Sequence, residues 1–200
     1  MKKFLFAIVA LFCAAPTFAQ FNSGGFSLDE ENLYWGVRLG FTRGGIGGDI
    51  ESDKGRTGMT LGGVVGLRVT ESTPLFLESG LYYTERGGKD LKLAGVQSDA
   101  KGHLNYLEIP LLIKYGFMPK DEIAILPFIG PYLALGVSGN YQTLRHPEMG
   151  FKLGCGVEWN YLYVELAYHL GATNIADYEV AGKDFTSHGH ALGINIGINF

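Results

Sequence analysis

The chain has 200 residues, a length that suits one domain, and its 16 basic and 20 acidic residues give a formal charge of −4, which argues against nucleic acid as a partner. Hydrophobic residues make up 46% of it, yet past residue 16 no run of about 18 apolar residues offers a membrane helix. Any membrane crossing is therefore by strands, and 30 glycines with 13% aromatics favour pleated strands and tight bends over helix bundles.

The N-terminus reads Met1-Lys2-Lys3, an apolar run from Phe4 to Ala15, then Pro16-Thr17-Phe18-Ala19 before Gln20. A basic start, a short apolar stretch and a small-residue site predict a secretory signal peptide over residues 1–19, cleaved after Ala19. The run is too short to span about 30 Å of hydrocarbon, and bulky Phe12 before Cys13 speaks against a lipoprotein. Removing the signal leaves 14 basic and 20 acidic residues, a formal −6, and Cys155 as the one cysteine, so no intrachain disulfide is expected. Residues 20–32, with Gly24, Gly25 and Asp29 to Glu31, are expected to be a periplasmic leader, and residues 33–200 the barrel.

From there the chain alternates, apolar on one parity and small or polar on the other, in segments of about ten residues, which is the mark of transmembrane β-barrel strands. The first runs Tyr34 to Thr42, with Trp35, Val37, Leu39 and Phe41 opposing Gly36, Arg38 and Gly40. Gly58 to Thr70 sets Met59, Leu61, Val65, Leu67 and Val69 against Thr60, Gly62, Gly66 and Arg68. Leu75 to Arg86 sets Leu75, Leu77, Leu81 and Tyr83 against Glu78, Gly80, Tyr82 and Thr84. Gly102 to Phe117 sets Leu107, Ile109, Leu111, Ile113, Tyr115 and Phe117 against Tyr106, Glu108, Pro110, Lys114 and Gly116. Leu126 to Ser138 is less regular, with Ile129, Leu133, Leu135 and Val137 against Gly130, Tyr132, Ala134, Gly136 and Ser138. Pro110, Pro127 and Pro131 weaken the pattern, because proline breaks a ladder unless it sits at a strand start or bulge.

Gly150 to Trp159 sets Phe151, Leu153, Cys155, Val157 and Trp159 against Lys152, Gly154, Gly156 and Glu158. Tyr161 to Gly171 sets Leu162, Val164, Leu166, Tyr168 and Leu170 against Tyr163, Glu165, Ala167 and His169. His188 to Phe200 closes the series with Leu192, Ile194, Ile196, Ile198 and Phe200 against Gly193, Asn195, Gly197 and Asn199. The connections 43–57, 71–74, 87–101, 118–125, 139–149, the Asn160 turn and 172–187 alternate long and short. Long loops outside and short turns inside predict an all-β, eight-stranded, antiparallel up-and-down transmembrane β-barrel in the bacterial outer membrane, with both termini periplasmic.

Charge settles which face meets lipid. Arg38, Arg68, Glu78, Glu108, Lys114, Lys152, Glu158 and Glu165 all fall on the small-residue parity. A lipid-facing Arg or Lys at mid-bilayer costs about 2–4 kcal/mol, so this parity points into the lumen. An eight-stranded interior is filled by side chains, which predicts a plugged lumen in which these eight form a paired charge network. Aromatics at the expected periplasmic strand ends, Trp35, Phe117, Trp159, Tyr161 and Phe200, read as an interfacial girdle. A soluble lipocalin-like carrier would have the opposite polarity.

Three stretches resemble the PorT-like outer-membrane β-barrel family: Tyr106-Leu107-Glu108-Ile109-Pro110-Leu111-Leu112-Ile113-Lys114-Tyr115, Pro74-Leu75-Phe76-Leu77-Glu78-Ser79-Gly80-Leu81-Tyr82-Tyr83, and Phe128-Ile129-Gly130-Pro131-Tyr132. The resemblance covers nearly all the mature chain and implies an eight-stranded barrel in the outer membrane. One member of that family is associated with protein secretion, and no residue here carries that role across. The ending Ile194-Asn195-Ile196-Gly197-Ile198-Asn199-Phe200 looks like the terminal aromatic signal read by the barrel-assembly machinery.

For chemistry, Ser187, His188 and His190, beside Asp177, Glu179 and Asp184, are the candidates for a lipid-modifying site near the extracellular strand ends, though a Ser-His-Gly-His run has no motif-level specificity. His188 and His190 share one strand face without a third metal ligand at useful spacing, and Asp49, Glu51 and Asp53 follow no EF-hand spacing. Inward His169 belongs with the lumen charges. The expected function is thus a non-enzymatic barrel without cofactor or metal, supporting the envelope or presenting its loops to an extracellular or periplasmic partner. The alternatives are a lipid A or phospholipid acyl-modifying enzyme, and a narrow pore or secretion-associated barrel. Expected partners are outer-membrane lipid and, during biogenesis, the barrel-assembly machinery.

Overall fold

The computed structural model describes residues 33–200 except 49, 71, 94–95, 98–101, 121–122, 140–146, 175–178, 181–182 and 185–186. The expected signal peptide (1–19) and leader (20–32) lie outside the described residues. Eight long strands make the fold: β1 Leu33–Gly48, β2 Ile50–Arg68, β3 Leu75–Leu93, β4 Gly102–Tyr115, β5 Ile123–Gly139, β6 Glu148–Trp159, β7 Leu162–Gly171 and β8 Ser187–Asn199. Each pairs antiparallel with its chain neighbour. β8 pairs antiparallel with β1, so the sheet closes into an up-and-down barrel with no free lateral edge.

The register fixes the barrel's dimensions. A walk along paired residues runs Leu33, Leu67, Leu77, Ile113, Ile129, Leu153, Tyr168, Leu192 and returns to β1 at Arg43, ten residues further along. Eight strands with that stagger tilt by about 40° and put the backbone about 8 Å from the axis, a bore that inward side chains fill.

Side-chain exposure follows the pleat with the polarity of a membrane protein. Outward Leu39, Leu61, Ile129, Leu166 and Ile196 are 52–58% exposed, while inward Arg38 and Glu78 are at 0%. The band has two sharp edges. At one, outward Phe41 is followed by Arg43 and Tyr83 by Glu85 and, in the reverse direction along β4 and β8, Leu107 by Asn105 and Leu192 by His190. At the other, Trp35 stacks on Phe200 at 4.6 Å between ring centroids and Tyr115 meets Phe117 at 4.6 Å, with Trp159 and Tyr161 nearby in sequence at exposed strand ends. A soluble carrier needs the opposite distribution, so the outward face is the one that meets hydrocarbon.

Inward glycines make room for rings from neighbouring strands. Gly62 pairs with Tyr82 and Gly66 with Tyr34, and a Cβ on Gly66 would fall on the Tyr34 ring. Since Tyr34 is buried and donates to Glu78 Oε2 at 2.6 Å, Gly66→Val is expected to lower unfolding free energy by about 1–3 kcal/mol, read from urea unfolding in micelles.

Several details differ from the sequence expectation. The strands run well into the expected 43–57 and 87–101 loops, with β1 paired to β8 as far as Gly48↔Ser187 and β2 to β3 as far as Ile50↔Leu93. Those stretches are glycine-rich or charged, so backbone pairing there carries no apolar alternation for a reader to detect. The seventh strand starts at Leu162, because Asn160 and Tyr161 both lie in the turn, Asn160 at a left-handed φ of 52° that asparagine tolerates. Ser138 points outward: the β4–β5 register shifts between Asn105 and Tyr106, and this irregularity leaves both Val137 and Ser138 exposed, with Asn105 Nδ2 donating to Ser138 Oγ at 2.8 Å. The prolines sit within strands at the cost of local ladder gaps. Pairing of β3 with β4 skips from Ser79↔Leu111 to Tyr82↔Glu108 at Pro110, whose carbonyl accepts from Ser79 Oγ at 2.8 Å.

Candidate functional site: the charged lumen

Parity and closure together gather the inward charges into one enclosed column. Arg38, Glu78, Glu108, Lys114, Lys152, Glu158 and Glu165 are each at most 2% exposed. Taking such groups out of water is costly unless opposite charges and hydrogen bonds meet inside, and the column supplies these in two tiers, although Arg38 Nε, Glu78 Oε1, the Tyr82 hydroxyl and Arg86 Nε are buried without a hydrogen-bond partner among the described residues.

The lower tier centres on two carboxylates. Glu78 Oε2 receives Tyr34 at 2.6 Å and Lys114 Nζ at 2.8 Å, with Arg38 Nη2 at 3.8 Å. Lys114 Nζ donates to the Tyr163 hydroxyl at 2.9 Å, which donates on to Glu165 Oε2 at 3.1 Å. Glu165 Oε1 takes Asn195 Nδ2 at 2.8 Å and Lys152 Nζ at 3.4 Å. Aromatic faces lie against the cations: the Arg38 guanidinium is 4.0 Å from the Tyr163 centroid and Lys152 Nζ 4.8 Å from that of Tyr82. Near the strand ends marked by the Trp35–Phe200 pair, Asn199 Nδ2 donates to Glu158 Oε2 at 2.6 Å.

The upper tier is organised by Arg86. Its fork donates through Nη2 to Glu108 and through Nη1 to Glu148 Oε1 at 3.2 Å, while Tyr132 also donates to Glu148. His169 Nε2 lies 3.2 Å from Glu108 Oε1. Arg86 and Glu148 are missing from the set read off the sequence, although both fall on the inward parity. Arg86 is an even number of residues from Glu78, and Glu148 is two before Gly150. Arg86 is the last residue of the expected third strand, and Glu148 falls in the expected 139–149 connection.

Arg68 is the converse case. It lies half-buried at the last position of β2, with Nε donating to the Thr70 carbonyl at 3.0 Å in the short turn, so it belongs to the barrel's rim and not to the enclosed column. Its position as the final strand residue gives its long side chain a route to the turn.

Ser187, His188 and His190 do not converge. Ser187 faces inward and is fully buried, whereas His188 and His190 are exposed on the outer face, His188 Nδ1 lying 3.2 Å from the Thr173 carbonyl oxygen. Alternation along β8 imposes the separation, since neighbours in a strand point to opposite sides. Asp49, Asp177 and the side chains of Glu51, Asp53, Glu179 and Asp184 lie outside the described residues. Among the described residues no group of three or more His, Cys, Asp or Glu side chains is placed to hold a metal. Phe200 closes the barrel seam, its N–H donating to the Trp35 carbonyl at 2.7 Å and its carbonyl accepting from Trp35 N–H at 3.0 Å.

At the upper end of the column, Arg86, Glu148, Tyr106 and Ile46 border a cavity of about 10 Å³, room for about one water molecule.

No protein-family model and no curated protein matches the chain. Solved structures do. The outer membrane protein OprG from Pseudomonas aeruginosa superposes with a TM-score of 0.51 at 14% identity, covering 86% of this chain and 98% of OprG. Neisserial surface protein A gives 0.49 at 13% identity, over 85% of this chain and 98% of that one. Ail from Yersinia pestis gives 0.45 at 11% identity, over 85% of this chain and all of that one. The shared fold is the closed eight-stranded antiparallel barrel.

Proposed function

We propose that this chain is a non-enzymatic barrel of the bacterial outer membrane that supports the envelope or serves as a rigid scaffold, holding the strand extensions and loops of one end above the membrane for an external partner. The observation that carries this reading is the lumen filled with side chains, in which Arg38, Glu78, Glu108, Lys114, Lys152 and Glu165 are each at most 1% exposed and joined through ion pairs and tyrosines. Rigid scaffolds with variable loops are where binding commonly resides. The separation of Ser187 from His188 and His190 on opposite faces of β8 weighs against the lipid-modifying alternative, which needs a nucleophile within hydrogen-bond reach of its base. The resemblance to the PorT-like barrels, the periplasmic termini, export by the N-terminal segment and recognition of Phe200 by the barrel-assembly machinery belong to the same proposal.

Two measurements test it. Purified barrel in planar bilayers should show no stable conductance, and a steady open state would replace the scaffold with a pore. Cells carrying His188→Ala with His190→Ala should keep the lipid A acyl pattern of the parent, and a changed pattern would make the barrel an enzyme.

A further inference from the structure

The outer face of β8, β1 and β2 changes character within one outward residue of each strand. Leu192, Phe41 and Met59 end the apolar band there, and the next outward residues are His190, Arg43 and Thr57. Arg43 pairs with Leu192 and Gly45 with His190, so Arg43 and His190 are diagonal neighbours on one face, about 7–8 Å apart at the backbone. His188 follows on the same face, opposite Gly47.

Glycines leave this cluster uncovered. A Cβ on Gly55 would come within 3.3 Å of Arg43 Nε, and one on Gly47 within 3.9 Å of the His190 ring. Arg56, on β2, has Glu85 at 3.9 Å, and Arg43 is exposed on the outer face of β1. Glu85 on β3 bounds this sector, its Oε2 accepting from the Met59 N–H at 3.4 Å, and further round the rim Asn105 and Ser138 stand on β4 and β5. Arg43, His188 and His190 thus share one outward face of β1 and β8, all exposed, above apolar side chains and on the far side of β2 from Glu85.

We infer that this sector binds the phosphate group of a phosphorylated membrane lipid, with Arg43 and His190 donating to the phosphate oxygens, His188 flanking them, and the acyl chains lying on Leu192, Phe41 and Met59. The level supports a lipid over a soluble anion, because the cluster sits where the hydrocarbon band stops and lipid phosphates begin. Arg matches phosphate through paired N–H donors, which a lipid without phosphate cannot engage. The assignment rests on the membrane orientation proposed above.

The test uses the full barrel in phosphatidylcholine nanodiscs doped with either lipid A or its dephosphorylated form, with bound lipid counted by native mass spectrometry. Wild type should retain the phosphorylated lipid at least tenfold more than the dephosphorylated one. Arg43→Gln with His190→Gln should abolish that preference while leaving the β circular-dichroism spectrum unchanged, and Arg43→Lys should keep part of it. Equal retention of both lipids, or a preference that survives the double substitution, overturns the site. Displacement of the lipid by inorganic phosphate, with saturable phosphate binding in lipid-free micelles, would make it a soluble-anion site and overturn the lipid assignment. A barrel that does not insert at all would instead refute the membrane orientation, a separate readout.

Discussion

Glu108→Ala is expected to cost the barrel about 3–5 kcal/mol, because it strands two buried partners at once. Glu108 is 1% exposed and receives the Arg86 guanidinium on one oxygen and His169 Nε2 at 3.2 Å on the other. Arg86 keeps Glu148 at 3.2 Å, so the lost interaction is partly compensated, which places the effect towards the lower end of that range. Glu108→Gln, which preserves shape and some hydrogen bonding, should cost less than the alanine change. Glu85→Ala supplies the contrast: it removes a carboxylate 3.9 Å from Arg56 at a part-exposed site, a pair worth about 0–1 kcal/mol. Urea unfolding in detergent micelles, followed by tryptophan fluorescence, reads all three. Equal destabilisation by Glu108→Ala and Glu85→Ala would mean that the lumen is wet and its charges are screened.

Much of this arrangement is legible in the chain because a transmembrane barrel writes its two solvents onto alternate residues. The parity of Leu39 and Arg38, or of Ile196 and Asn195, needs no tertiary knowledge, since one side chain of each pair must meet lipid and the other the lumen. Eight repeats of that pattern give strand number and closure. What alternation does not encode is how far strands continue once outside the membrane. Gly44, Gly45, Gly47 and Gly48 stay in β1 because β8 supplies hydrogen-bond partners, a long-range fact absent from local composition. For the same reason the sequence does not mark Arg86 and Glu148 as lumen residues: each lies at or beyond the end of its alternating run.

The site suffers a second kind of illegibility. Parity places a residue on the inner wall without saying which other strand it meets, and that depends on the stagger of ten residues accumulated around the barrel. Tyr34 and Glu78 are 44 residues apart and joined at 2.6 Å, a contact that follows from the stagger and the narrow bore together. Ser187 and His188 illustrate the converse, adjacent in sequence and separated by the thickness of the sheet.

Leu39→Arg tests the outer surface as Glu108→Ala tests the inner one. Leu39 is 52% exposed and pairs with Leu61 and Ile196, themselves 58% and 54% exposed, so an arginine here would sit among aliphatic side chains midway along the apolar band. In lipid bilayers that change is expected to destabilise the barrel by about 2–4 kcal/mol, falling to about 0–1 kcal/mol when the same charge is introduced near an interface, as at Thr57. The dependence on depth carries the information. A soluble barrel would accept Leu39→Arg as an ordinary surface change within about 0.5 kcal/mol, and would show no difference between the two positions. Reversible unfolding in vesicles of defined lipid measures both variants, and a flat response would place the exposed aliphatic band in water and reverse the assignment of inside and outside.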